Sequence, residues 1–252
     1  MKKTNLLIAA MLLMIATLAQ AAEVAGKVGY MSGMLAAQRA DGTIKVLGPK
    51  SEVLAGDMLI TAKDSYAQVQ MNDGAQMTLR PHSNLKIEAF QFRKEEPQAD
   101  NAVLRLIKGG FRTVTGLIGR RGNADAYQVR TESATIGIRG TDFSSRLCAT
   151  PNCQDDMTPS ADMDKPQAPP PTAPPETPPG LYVTVHDGQV ILTQADKTLN
   201  LVRGETGFAA GQVLSRLAIT PAFMGVDNKM DPSGSGIKDQ KGDGIPEGGC
   251  KL

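Results

Sequence analysis

The 252-residue sequence predicts an all-β protein, short hairpins stacked into a β-solenoid-like or sandwich-like domain. Three observations predict it. Segments such as Ala67-Gln68-Val69-Gln70-Met71, Gln76-Met77-Thr78-Leu79 and Leu85-Lys86-Ile87 alternate apolar and polar side chains, the period of two of a half-buried strand. Turn residues separate them: Asn72-Asp73-Gly74 accepts positive φ at little cost and marks a hairpin, and Pro81-His82-Ser83-Asn84 marks the next turn. Beyond the first 22 residues, no stretch sustains a 3.6-residue apolar stripe over three turns.

The elements follow in chain order. Lys2 and Lys3 precede an apolar run from Leu6 to Leu18, and Ala19-Gln20-Ala21 places small residues at the spacing a signal peptidase reads. Residues 1–22 are therefore expected to be a cleaved secretory signal peptide. The run falls short of the ~20 residues that span a bilayer. Every later window is broken by Asp, Lys, Arg or Pro, so no transmembrane segment is expected after cleavage. Glu23 and Val24 stand where a lipid anchor would need cysteine, so the mature chain is expected free in the periplasm or secreted.

Residues 23–147 read as a β domain of many short strands. Residues 148–180 are rich in Cys and Pro, with Ala168-Pro169-Pro170-Pro171 and Thr177-Pro178-Pro179, and read as an exposed loop or linker. A ligand for a proline-recognition domain is the alternative. Residues 181–225 return to the β pattern as hairpins completing the architecture, and residues 226–252 lack the apolar content to offset their ordering entropy and are expected to be disordered. The block after the linker echoes the first without a gap: Val28 matches Val183, Gly33 matches Gly188, Ala40-Asp41 matches Ala195-Asp196, and Thr43 matches Thr198. Each copy then reaches a turn glycine beside an acid, Gly56-Asp57 and Gly204-Glu205. Such recurrence predicts stacked hairpin units.

Composition narrows function. Aromatics are 4% and Trp is absent, so the core must rest on Val, Ile, Leu, Met and Ala. A net charge of +1, without interleaved basic and aromatic residues, argues against a nucleic-acid binder. Cys148 and Cys153 are a candidate disulfide across Ala149-Thr150-Pro151-Asn152 in an oxidising compartment. A metal site would need further thiols or histidines nearby, and the sequence holds none there. Cys250 reads as a free thiol or an intermolecular partner.

No catalytic constellation emerges. His82 and His186, the two histidines, both fall in predicted turns, without a metal-ligand partner at useful spacing. His82 adjoins Ser83, but neighbouring strand residues point to opposite faces and no nucleophile elbow is present. Asp57, Asp73, Asp142 and Asp187 adjoin glycines or turns, where aspartate serves the backbone, although carboxylates that meet only in space escape this reading. Lys241-Gly242-Asp243-Gly244 lacks the ligand count calcium needs. Neither metal nor cofactor is expected. One positive feature is the basic segment from Arg105 to Arg146. Arg112, Arg120, Arg121 and Arg139 are a candidate patch for an anion or a partner, with a solvated surface as the bland alternative.

Four ordered motifs carry a resemblance: Leu54-Ala55-Gly56-Asp57-Met58-Leu59-Ile60-Thr61; Asp73-Gly74-Ala75-Gln76-Met77-Thr78-Leu79-Arg80-Pro81-His82-Ser83-Asn84-Leu85; Lys108-Gly109-Gly110-Phe111-Arg112-Thr113-Val114-Thr115-Gly116; and Thr131 through Phe143, with Gly137-Ile138-Arg139-Gly140-Thr141-Asp142 at its centre. Together, over residues 54–143, they resemble the FecR domain. In the closing motif the glycines allow a bulge, and Arg139 and Asp142 are a candidate structural pair across it.

The resemblance implies a β-rich periplasmic module, known in the founding members as the sensing part of iron-uptake regulators that contact an outer-membrane transducer and restrain a sigma factor. A leader stands here where those regulators carry a cytoplasmic region and a membrane helix. The expectation is therefore a stand-alone, non-enzymatic binding or scaffold protein of the envelope that contacts another protein in sensing or signalling. A module for glycan or peptidoglycan is the alternative, and an enzyme ranks third.

Overall fold

The computed structural model describes residues 22–121, 125–151, 153 and 177–225. The leader, most of the Pro-rich segment, the tail and Cys250 lie outside the described residues. The alternating segments form fifteen strands, and the fold is all-β, a large open sheet rather than a closed barrel. They are β1 (Val24–Ser32), β2 (Leu35–Gln38), β3 (Ile44–Leu47), β4 (Glu52–Leu54), β5 (Met58–Thr61), β6 (Tyr66–Met71), β7 (Gln76–Leu79), β8 (Asn84–Gln91), β9 (Asn101–Val114), β10 (Tyr127–Arg130), β11 (Thr135–Cys148), β12 (Gly180–Gln194), β13 (Lys197–Val202), β14 (Thr206–Ala210) and β15 (Val213–Leu217). Pairing is antiparallel throughout except between β9 and β10.

Three long strands fold this sheet into two leaves. β9 pairs β8 and β10 through its first half and β7 and β11 through its second. β11 and β12 stay paired along their whole length, but the second half of β12 also pairs β13 and its first half β14. Each of the three carries an interior glycine at positive φ, Gly109 at 72°, Gly140 at 61° and Gly188 at 81°, where a residue with a Cβ would be strained. The inner faces meet in one apolar cluster that includes Leu35, Val69, Met77, Leu104, Phe111, Ile136, Phe143, Val183 and Leu192. Burying each such aliphatic or aromatic side chain contributes about 1.5–3 kcal/mol. Because both leaves feed one cluster, the arrangement is sandwich-like.

The structure corrects one local expectation. His186-Asp187-Gly188 is not a hairpin turn, because β12 runs through it as a single bent strand of 15 residues. A positive-φ glycine allows both outcomes, and here β11, kinked at Gly140 opposite, keeps the ladder going.

The repeated blocks build the same device twice. Gly56 and Gly204 sit at φ of 90° and 83°. The acid after each accepts the amide three residues before it, Leu54 N to Asp57 Oδ2 at 2.7 Å and Val202 N to Glu205 Oε2 at 3.0 Å. Each acid also meets an arginine, Arg39 for Asp57 and Arg216 for Glu205.

Candidate functional site

The outer face of the leaf containing β7, β9, β11, β12 and β14 is unusually polar. Register explains it: Thr78 lies opposite Arg112, Arg112 opposite Ser144, Ser144 opposite Thr184, and Thr184 opposite Thr206, while their neighbours Phe111, Phe143 and Val183 point into the core. One register step away, Arg146 lies opposite Gly110 and Tyr182.

Residues 221–225 cross this face as a short strap containing the 3-10 turn Ala222–Met224. Arg80 donates to the carbonyl oxygens of Phe223 at 3.0 Å and Gly225 at 2.9 Å, and Arg146 donates to that of Phe223 at 2.7 Å. Tyr182 meets the Phe223 ring edge-on, and the Arg146 guanidinium lies over the same ring. Both arginines are buried, so these charge-assisted bonds anchor the strap strongly.

The structure places the described residues singled out from the sequence. Cys148 and Cys153 are joined as a disulfide with Cα atoms 4.8 Å apart, and they pack with Tyr182, Phe208 and the strap residue Met224. Arg112 grips Asp142 with two bonds, Nε to Oδ1 at 2.9 Å and Nη2 to Oδ2 at 2.7 Å. That corrects the expected pair of Arg139 with Asp142. Asp142 shares the outer face with Ser144, diagonal to Arg112 on β9, whereas Arg139 lies three residues back across the bulge and is exposed.

Arg121 lies over the Phe92 ring and bonds Asp100 and the carbonyls of Arg93 and Lys94. Arg120 and Arg139 make no ion pair or side-chain hydrogen bond among the described residues. Of the four arginines, Arg112 and Arg121 are thus bound within the fold, and Arg120 and Arg139 are exposed.

The sequence reading missed one polar pair. Ser144 Oγ and His186 Nε2 lie 2.8 Å apart. Burial holds His186 below the ordinary histidine value; the Asp142 carboxylate opposes that, and Arg112 and Arg80 add to it. Nucleophile chemistry is disfavoured by geometry. Ser144 is 4% exposed, and Asp142, the acid a charge-relay arrangement would need on the imidazole, is bonded to Arg112 instead. Arg80, Ser144, Arg146 and His186 alternate with apolar residues in the sequence, but only register brings them together.

Comparison with known proteins agrees with the motifs. Residues 57–153 match the family model described as FecR protein. Two crystal structures of "a putative anti-sigma factor from Parabacteroides distasonis ATCC 8503" are similar, at 13% and 14% identity, with TM-scores of 0.40. Each alignment covers 64% of this chain and 57% of that one, so the chain spans a little over half the length of those structures. No curated protein matches the chain.

Proposed function

We propose that this chain, which carries a FecR domain over residues 57–153, is a non-enzymatic binding and scaffold protein of the bacterial cell envelope that makes protein–protein contacts in sensing or signalling. The FecR match is the observation that carries the reading. Three features support it. The buried polar groups described above bond to one another and to backbone within the fold. The open sheet leaves β3 paired only with β2, and β15 only with β14, among the described residues, so both are edges to which another chain can add. The Cys148–Cys153 bridge suits an oxidising compartment, and the leader-like first 22 residues agree with a periplasmic site of action.

The experiment is amine-reactive cross-linking of the full chain in its own cells, followed by fractionation. The expected result is a discrete adduct with another protein, in the periplasmic fraction, on a chain shortened by its leader. A full-length chain in the cytosol, or no adduct at any cross-linker concentration, overturns the proposal.

A further inference from the structure

The geometry points to a docking face for an acidic amphipathic helix of a protein partner, on the outer side of β3, β2 and β5; this rests on the protein-contact reading above. A shift of register creates the face. The sequence echo matches Leu35 with Val190, Ile44 with Leu199 and Val46 with Leu201. In the second block Val190 lies opposite Leu201 and Leu192 opposite Leu199, and both leucines turn toward the core. In the first block Leu35 lies opposite Leu47, one residue further along, and Val46 lies opposite Ala36. The loops set the difference. Gln194 and Lys197 close a two-residue turn, whereas Gln38 and Ile44 flank five residues, with Arg39 N donating to Thr43 O at 2.8 Å. A shift of one residue turns a strand over, so Ile44 and Val46 stand 69% and 66% exposed.

The face continues inward. Val46, Ala36 and Ile60 are register neighbours across three strands, and so are Ile44, Gln38 and Met58. Leu35, Ala37 and Leu59, which alternate with them, are buried in the core, so these rows point outward. Both rows end on cations: Lys86 lies opposite Met58, and Asn84, opposite Ile60, also lies opposite Lys108. The two lysines are exposed, and neither makes an ion pair or hydrogen bond among the described residues. No acid occupies an outward position of β3, β2 or β5, or of β8 as far as Lys86. Glu88, two residues on, is held by Arg105 and Arg130, and Asp57 is buried against Arg39. The exposed Asp41 and Asp64 lie in loops beyond these strands, Asp41 bonded to Thr43.

An aliphatic stripe bordered by these lysines complements a segment with an apolar face and a flank of carboxylates. A second copy of this chain brings no such flank from the same face. The stripe also carries no Trp or Tyr, the residues that anchor a surface at a membrane interface. Strands lie ~4.8 Å apart, so a strand added at the β3 edge reaches Ile44 and Val46 but leaves Met58, Ile60 and the lysines bare. A helix ~10 Å across, laid over the face, covers the stripe and brings its flank to Lys86 and Lys108.

The test uses the full chain and an acetylated, fluorescein-labelled peptide, Glu-Leu-Glu-Ala-Leu-Leu-Glu-Ala-Leu-Glu-Ala-Leu-Leu-Glu, read by anisotropy. Versions with every Glu as Gln, every Glu as Lys or every Ala as Pro stand beside it. The acidic helix should bind, and the Gln and Pro versions should bind more weakly. Val46→Asp should weaken the acidic peptide by about tenfold or more, as an anchor is lost, while Val202→Asp, at an exposed position of β13, leaves it unchanged. Lys86→Glu combined with Lys108→Glu should abolish acidic-peptide binding and create binding of the Lys version. Every replaced side chain is exposed, so far-ultraviolet circular dichroism should match the parent. No binding, equal binding of the Gln or Pro version, or failure of the charge swap overturns the site. Flotation of the full chain with phosphatidylglycerol vesicles, lost in Val46→Asp, overturns it in favour of a membrane surface.

In cells, a photo-cross-linking residue at Ile44 separates this site from the broader reading. An adduct that the double lysine variant abolishes supports the site. No adduct from Ile44 overturns it; the contact function then stands if amine-reactive cross-linking still captures a partner, and falls too if that captures none.

Discussion

Gly188 and Gly204 offer a matched pair of perturbations. Both sit at nearly the same positive φ, 81° and 83°, so replacing either with alanine incurs the left-handed penalty of about 1–2 kcal/mol. The reduced entropy of the unfolded chain returns roughly 0.4–1 kcal/mol of that. Their surroundings differ. A Cβ at Gly204 meets nothing within 4 Å, while one at Gly188 lies 2.5 Å from Gly140 O and 3.1 Å from Thr141 Cα. Those atoms belong to β11 and cannot swing away as a side-chain tip could, so overpacking adds about 1–3 kcal/mol more.

Gly204→Ala should therefore cost about 1 kcal/mol, and Gly188→Ala about 2–4 kcal/mol. Urea unfolding followed by far-ultraviolet circular dichroism measures both. With slopes of about 1–3 kcal/mol/M, the two midpoints should differ by about 1 M. Gly204→Asn should recover most of the loss, since asparagine tolerates this backbone region, and Gly188→Asn should not. Equal midpoints for the two alanine variants would refute the reasoning, because the β11–β12 kink would then not be sterically locked.

Two further predictions concern buried polar groups. His186 titrates lower in the folded chain than its unfolded value of 6.5, so the unfolded state binds the extra proton first. Stability should fall as pH drops below about 6.5 toward the folded value and then level; His186→Gln should remove that part of the slope in urea midpoints compared at neutral and mildly acidic pH. Ser145 is 1% exposed and its hydroxyl has no hydrogen-bond partner among the described residues, so Ser145→Ala should be neutral or stabilising by up to about 1 kcal/mol, and a loss above that in thermal unfolding would show an unseen partner.

Much of the strand pattern was legible because it depends on nearest neighbours. The alternation in β6, β7 and β8 and the Asn72-Asp73-Gly74 turn needed only local sequence, and the echo between the blocks anticipated two Gly-acid turns that share an amide contact and an arginine. What was not legible depends on register. Whether Gly188 makes a turn or a kink follows from β11 lying opposite with its own glycine. Arg80 and Arg146 meet the carbonyls of a strap more than seventy residues further along the chain, and no spacing rule reports such a contact.

The basic segment shows why an excess of charge along a chain is not a binding site. Arg105 and Arg130 both turn to Glu88, Arg112 to Asp142, Arg121 to Asp100, and Arg146 to a strap carbonyl. Each acquires its partner through strand pairing or loop packing, which gives it a structural role and removes it from the pool free to attract a ligand. Arg120 and Arg139, both exposed, have no such partner among the described residues; each adjoins one end of the Gly119–Gly140 contact, where main chain meets main chain.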